Sequence, residues 1–243
     1  MITEKTILVI DAGNTSIKIG VFVNSELTDV LRFSLDSINE IEQFLRVNSY
    51  EYSVIASVLG SADTKKITSR LNNFLLVDSN TPTPIKNKYQ TQNTLGTDRL
   101  CNAVGMASLL QSSFGVCIDV GTCIKFDVIN SNQEYLGGSI SPGIDLRYKS
   151  LNDYTGNLPL LSNKSTTKLV GEDTNMSIQS GVLNGIDAEI NGLMSSYSEQ
   201  FDDLTFFVTG GDASFFDLDS KNDIFANENL TLLGLFEIYR HNA

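Results

Sequence analysis

Two glycine turns, each preceded by an aspartate at the end of an apolar run, are the features of this sequence best suited to chemistry. Asp11 follows the β-branched run 7–10, and Asp119 follows the run 114–118. A glycine turn lets backbone N–H groups approach a ligand, and a carboxylate at a strand end can hold Mg²⁺ directly or through water. For either turn alone a plain hairpin is the simpler interpretation. Two turns with matched Asp, Gly, Thr and Lys favour a clamp on a polyphosphate.

Neither turn matches the common nucleotide-binding motifs. A Walker A loop requires G-x-x-x-x-G-K-[ST], and a dinucleotide fold requires G-x-G-x-x-G. A third glycine cluster, residues 209–212 (TGGD), also ends an apolar run. Paired glycines there would let a flat ring or a sugar lie against the backbone, although an ordinary strand-to-helix turn has the same pattern.

Residues 95–100 (LGTDRL) open a predicted helix. Thr97 or Asp98 could be its N-cap, which these residue types favour. The alternative makes Asp98 a base or aligning group for a hydroxyl nucleophile and Arg99 a bidentate clamp for a carboxylate.

The elements that must position these residues occur twice. Apolar residues alternate at period two after each turn, which predicts strand, turn, strand. The two aspartates lie 108 positions apart (119 minus 11), and Lys18 and Lys125 follow them. This spacing predicts an internal duplication with one turn in each half, so we place the lobes at 1–112 and 113–243.

Four stretches space their apolar residues by three or four, as helices do. They are Ile38, Ile41, Phe44 and Leu45; Ile67, Leu71, Phe74 and Leu75; Leu100, Val104 and Ala107; and Ile178, Val182, Ile186, Ile190, Leu193 and Tyr197. Residues 81–84 and 154–165 predict loops, because Pro, Gly and small polar residues sustain neither period. Segments 136–143 and 171–174 fit a turn and a helix cap more simply than a binding loop.

Composition and charge exclude several classes. The 243 residues are 41% hydrophobic and carry a formal charge of −12, which would repel phosphate backbones and anionic membrane surfaces and argues against nucleic-acid binding. The first ten residues hold too short an apolar run for a signal peptide, and no run approaches a membrane span, so we expect a cytoplasmic protein. Three cysteines without C-x-x-C spacing and a single histidine, His241, argue against zinc sites and His-based triads.

Taken in order, the motifs resemble those of type III pantothenate kinases, members of the superfamily of acetate and sugar kinases, heat-shock chaperones and actin. The resemblance runs from about residue 10 to 212. It rests on six segments: 11–18 (DAGNTSIK), 96–99 (GTDR), 119–122 (DVGT), 137–143 (GGSISPG), 171–174 (GEDT) and 209–213 (TGGDA). It implies an α/β fold of duplicated ribonuclease-H-like, actin-like ATPase lobes with the active site in the cleft between them.

The resemblance also implies an activity, ATP- and Mg²⁺-dependent phosphorylation of pantothenate, the first step of coenzyme A biosynthesis. Asp98 would be the proton acceptor, and Asp119 would help bind a monovalent cation, K⁺ or NH₄⁺. The implied ATP contacts are Asp11, Ala12, Gly13, Asn14, Thr15, Ser16, Ile17, Lys18 and Thr122. The implied pantothenate contacts are Tyr89, Gly96, Thr97, Asp98, Arg99 and Thr174.

The resemblance further implies a homodimer whose pantothenate site is completed by the neighbouring chain. The helix predicted at 175–197 carries Gly181, Gly185 and Gly192, which suit either intrachain packing or a two-fold helix interface.

The sequence departs from the family pattern at Ile124 and Lys125, where small or hydroxylated residues are usual. Lys125 could contact phosphate or point to solvent. Two other functions stay open. One is a non-catalytic nucleotide binder, either a chaperone-like or filament-forming ATPase or a regulator of the same family. The other is a phosphatase or another small-molecule kinase of the superfamily.

Overall fold

The structure is a computed structural model that describes residues 5–48, 50–110, 113–162, 164–165, 168–216 and 224–243. The chain divides into two compact units. The first comprises Met1–Leu109, Gln133–Leu136 and Asn229–Ala243, and the second comprises Leu110–Asn132 and Gly137–Glu228.

In the described residues, three consecutive strands begin each half of the chain, and strands and helices follow them. The strands are β1 (Thr6–Ala12), β2 (Ser16–Val23), β3 (Glu26–Ser34), β4 (Tyr52–Ser57), β5 (Phe74–Val77), β6 (Lys86–Asn87), β7 (Phe114–Val120), β8 (Cys123–Ile129), β9 (Glu134–Pro142), β10 (Leu204–Thr209) and β11 (Ile224–Ala226). The helices are α1 (Ile38–Val47), α2 (Ser61–Thr68), α3 (Thr97–Leu109), α4 (Ile144–Asp153), α5 (Thr174–Gln200) and α6 (Leu230–Asn242).

The first unit is built on a five-stranded sheet of order β3-β2-β1-β4-β5. β1 pairs antiparallel with β2 and parallel with β4, so it lies at the centre of the sheet. Leu8 and Ile10 share a core cluster with α1 and α2, while Ile7 and Val9, which alternate with them, are buried as well. Burial of alternate residues on both faces explains why β1 is a continuous apolar run.

The second sheet repeats this order. Its strands run β11-β10-β7-β8-β9-β6, and β7 pairs antiparallel with β8 and parallel with β10. β9, β8, β7, β10 and β11 therefore correspond to β3, β2, β1, β4 and β5. The predicted duplication is confirmed, and in each copy the aspartate lies near the end of the central strand.

The C-terminal helix α6 belongs to the first unit, which differs from a division into two consecutive lobes. A Cβ on Gly234 would lie 1.8 Å from the Cys101 carbonyl oxygen, and one on Gly105 would lie 2.4 Å from the Leu230 carbonyl oxygen. The backbones of α3 and α6 therefore touch where both helices have glycine. The division at 112/113 stays a prediction, and residue 112 lies outside the described residues.

The helices predicted in α1, α3 and α5 are confirmed, and the second predicted helix is partly wrong. α2 ends at Thr68, while Phe74 and Leu75 lie in β5 and pair with Ser53 and Val54 of β4. Four apolar residues had the spacing of a helix, but Phe74 and Leu75 are extended because they pair in parallel with the buried strand β4. Among the described residues, no helix combines the length and apolar character needed to cross a bilayer.

Candidate active site

The first glycine turn joins the central strand β1 to β2. Asp11 lies opposite Lys18 in the antiparallel register, and the Gly13 N–H donates to the Ser16 carbonyl at 3.0 Å. Residues 14–16 are exposed, so their hydroxyl, amide and backbone groups can meet a ligand. Ala12 and Ile17, both predicted ATP contacts, are 0% exposed, which leaves only their backbone for such a role.

The second turn, between β7 and β8, reproduces the first with one residue fewer. Asp119 lies opposite Lys125 in the register, as Asp11 lies opposite Lys18. Thr122 is exposed at the tip, and the Gly121 N–H donates to the Cys123 carbonyl at 3.1 Å. Each unit therefore places an aspartate, a lysine and a glycine turn at the same position of its sheet.

Two more glycine motifs converge on the second turn. The Gly143 N–H donates to the Thr122 carbonyl at 3.0 Å, and a Cβ on Gly143 would lie 2.1 Å from the Gly121 carbonyl oxygen. Gly210 has a φ of +100°, and a Cβ there would lie 2.2 Å from the Val120 carbonyl oxygen. Only glycine permits these approaches, so segments 137–143 and 209–213 are docked on the backbone of the turn.

Asp98, the predicted base, lies in the first turn of α3. Its Oδ1 accepts the Arg99 backbone N–H at 2.9 Å. A Cβ on Gly96 would lie 2.5 Å from that oxygen, so glycine is needed for the carboxylate to adopt this position. The helix begins at Thr97, so neither Thr97 nor Asp98 is the N-cap that their residue types favoured.

A buried thiol links Asp98 to the first turn. Burial raises the pKa of the Cys101 thiol well above its ordinary value, and the negative charges of Asp11 and Asp98 raise it further. Both carboxylates therefore lie near enough to Cys101 to act on it electrostatically. The predicted base and the aspartate of the first turn therefore act on the same buried side chain of the first unit.

The predicted pantothenate contacts of the first unit are brought together around Arg99. This side chain is 4% exposed, and its guanidinium carbon lies 5.7 Å from the centre of the Tyr89 ring. The Thr97 hydroxyl is buried without a hydrogen-bond partner among the described residues. A buried, unsatisfied hydroxyl beside Asp98 is costly unless a ligand pairs with it.

Thr174, the remaining predicted pantothenate contact, is the first residue of the 27-residue helix α5. Asp173 is the N-cap and accepts the Met176 N–H at 2.8 Å, which confirms a cap in segment 171–174. Thr174 is exposed.

The residues present do not suit a monovalent cation at Asp119. Its Oδ2 lies 2.7 Å from Lys125 Nζ, and both side chains are 14% exposed. A cation bound to this carboxylate would meet the ammonium at short range. Neither predicted orientation of Lys125, towards phosphate or solvent, anticipated this ion pair.

The side chains of Glu189 and Lys164 help to hold the site together, although no motif or spacing in the sequence singled them out. Glu189 of α5 accepts hydrogen bonds from Ser141 and Arg147, which ties α5 to segment 137–143. Lys164 donates to Asp212 at 2.9 Å and to Asp145 at 3.0 Å. Burial alone would lower the pKa of Lys164, but these two carboxylates outweigh it and raise the pKa.

Solved structures of other proteins share this fold. The chain aligns with a Baf family transcriptional activator from Campylobacter jejuni over 97% of its length and 98% of that chain (TM-score 0.62, 22% identity). It aligns with a ROK family glucokinase from Streptomyces griseus over 97% of its length and 99% of that chain (TM-score 0.54, 11% identity). The fold is the duplicated ribonuclease-H-like fold of actin-like ATPases and sugar kinases.

Sequence comparison identifies the family within this class. The family model of type III pantothenate kinases matches residues 7–196. The chain is 39% identical to the type III pantothenate kinase of Christiangramia forsetii over 238 residues, covering 97% of the chain and 98% of the relative. It is 35% identical to that of Flavobacterium psychrophilum, covering 97% and 99%. The chain belongs to the type III pantothenate kinase family.

Proposed function

We propose that the protein catalyses ATP-dependent phosphorylation of pantothenate to 4′-phosphopantothenate, the first step of coenzyme A biosynthesis. The observation that carries this proposal is the match of the family model over 7–196, a range that contains both aspartate turns and the Asp98 segment. Phosphoryl transfer requires positioning and charge neutralisation rather than a covalent protein intermediate. The two glycine turns, Lys18 and the carboxylates Asp11 and Asp98 would supply those requirements.

The two turns are proposed to bind ATP. In the first unit, residues 11–18 present backbone N–H groups, the exposed Thr15 and Ser16 and the lysine Lys18 to the nucleotide. In the second unit, Thr122 does so at the tip of its turn. No group of three His, Cys, Asp or Glu side chains placed to hold a metal ion occurs in the described parts of the chain. Mg²⁺ in kinases is commonly held by one or two carboxylates together with the substrate phosphates. Mg²⁺ neutralises phosphate charge when it is bound, and Asp11 is the residue that would hold it.

Asp98 is proposed to accept the proton of the primary hydroxyl of pantothenate. As the hydroxyl oxygen bonds to the γ-phosphorus, the bond from that phosphorus to the β,γ-bridging oxygen breaks and ADP leaves. Arg99, fixed against Tyr89, is proposed to pair with the substrate carboxylate, and the Thr97 hydroxyl to hydrogen-bond to pantothenate. Both roles use groups that the fold already holds in place.

The protein is further proposed to be a cytoplasmic homodimer in which Thr174 of one chain serves the pantothenate site of the other. Gly181, Gly185 and Gly192 of α5 support this arrangement, because a Cβ on any of them would have no described neighbour within 4 Å. Within the described part of the chain, the space beside these three glycines is therefore open. A helix of a second chain can approach closely along them.

The test is the release of ADP by the purified protein with pantothenate, with sugars, with acetate and with no acceptor. We expect turnover only with pantothenate. Turnover with another acceptor would instead make the protein a different kinase of the superfamily. Nucleotide binding without any turnover would indicate a regulator, the function named for the Campylobacter jejuni structure.

A further inference from the structure

Lys125 is built into the second turn as the ionic partner of Asp119. The two residues are direct partners across β7 and β8, whose connection is only Gly121 and Thr122. Their charged atoms lie 2.7 Å apart, and each side chain is 14% exposed. Directly opposite residues on one sheet face hold their side chains side by side, so the strand register maintains the pair.

An ammonium and a monovalent metal ion bring the same charge to a carboxylate. Lys125 is tethered to the sheet, whereas a free ion must be captured from solution. The low exposure of the pair limits screening by water and salt, so a second cation at this carboxylate would be repelled by the first. The carboxylate can therefore be neutralised by one cation or the other, and the fold supplies the lysine.

We propose that the Lys125 ammonium replaces the monovalent cation expected at Asp119 and makes the second phosphate turn independent of K⁺ and NH₄⁺. This inference rests on the proposed function. It names Lys125 as a positioning residue that neutralises Asp119, beside the exposed Thr122 that is proposed to contact ATP. This role would explain why a lysine stands at position 125, where small or hydroxylated residues are usual in the family.

The experiment compares the wild type, Lys125→Ala and Lys125→Met in KCl, NH₄Cl and choline chloride at equal ionic strength, with ATP supplied as its choline salt. Lys125→Ala removes the charge and leaves space for an ion, whereas Lys125→Met removes the charge and fills the space. Lys149→Ala is the matched control, because Lys149 pairs with Asp153 along the surface of α4 and its side chain is 65% exposed. Pantothenate-dependent turnover and melting temperature are both measured.

We expect the wild type and Lys149→Ala to turn over equally in all three salts. Lys125→Ala should lose roughly 10²-fold in choline chloride, as expected when one charge-stabilising group is removed, and should recover in KCl or NH₄Cl. Lys125→Met should stay slow in every salt. KCl should raise the melting temperature of Lys125→Ala alone, because an ion that binds only the folded state stabilises it.

The proposal is overturned if the wild type turns over only with K⁺ or NH₄⁺, or if KCl raises its melting temperature above that in choline chloride. It is also overturned if Lys125→Ala is as fast as the wild type without a small cation. Failure of the proposed function looks different, since no salt would then support pantothenate-dependent turnover. In that case the melting temperatures alone still decide whether Lys125 or an added ion neutralises Asp119.

Discussion

Replacing Gly96 by alanine should lower turnover sharply and spare the fold. The added Cβ would lie 2.5 Å from Asp98 Oδ1, whereas ordinary contact begins at 3.4 Å, so the carboxylate must recede by about 0.9 Å. A displacement of about 1 Å at a catalytic group costs roughly 10²-fold in rate, or about 2.7 kcal/mol of transition-state stabilisation. Gly96 does not have a positive φ, so its backbone conformation is open to alanine.

Gly60→Ala is the matched control for this substitution. Gly60 precedes α2 as Gly96 precedes α3, but a Cβ on Gly60 would have nothing within 4 Å. Both variants exchange glycine for alanine directly before a helix, so both carry the same weak loss of N-cap preference. The assay is kcat and KM for pantothenate, with the melting temperature measured in parallel.

We expect the two variants to melt at similar temperatures while kcat falls only in Gly96→Ala. An unchanged kcat in Gly96→Ala would refute the reasoning, because turnover would then not depend on the position of the Asp98 carboxylate. A fall in kcat accompanied by a much lower melting temperature than that of Gly60→Ala would assign Gly96 to folding instead.

Three further predictions follow from the same geometry. Asp98→Asn should lower kcat by about 10² or more with an unchanged melting temperature. The amide oxygen can still accept the Arg99 N–H, but the amide cannot take a proton. A normal kcat would exclude Asp98 as the base. Asp98→Asn and Thr174→Trp, each nearly inactive alone, should regain activity in about a quarter of the sites after equimolar subunit exchange. No recovery in mixed dimers verified by mass would place the site within one chain. The free energy of unfolding should fall as pH rises above about 9, by roughly 1.4 kcal/mol per pH unit for each of Cys101 and Cys117. Burial raises the pKa of both thiols, so the folded chain keeps protons that the unfolded chain loses. Urea titrations of the Cys101→Ala/Cys117→Ala variant should show a flatter dependence, and an unchanged slope would contradict this assignment.

Local patterns were enough to predict the elements that carry the turns. The run 7–10 and the alternation after Asp11 identify β1 and β2, because a buried central strand and its half-buried neighbour leave different apolar patterns. The helix α6 was not predicted, because its apolar residues show no helical period. It is buried around most of its circumference between α3 and the first sheet, so it has no polar face to reveal a helical period.

The candidate site was predictable in composition but not in its internal contacts. The motifs name Asp98 and the glycines of segments 137–143 and 209–213. That Gly143 and Gly210 meet at one turn is a long-range contact, which no spacing along the chain contains. The Asp119–Lys125 pair depends on strand register, and a shift of one residue would turn Lys125 to the other face of the sheet.

The central claim is that this chain transfers the γ-phosphoryl group of ATP to pantothenate. Its most direct test is ³¹P NMR of the purified protein with ATP, Mg²⁺ and pantothenate. We predict a new phosphomonoester resonance that grows as the γ-phosphate signal falls, in equal amounts and only when pantothenate is present. Growth of inorganic phosphate at the same rate with and without pantothenate, and no phosphomonoester, would contradict the claim.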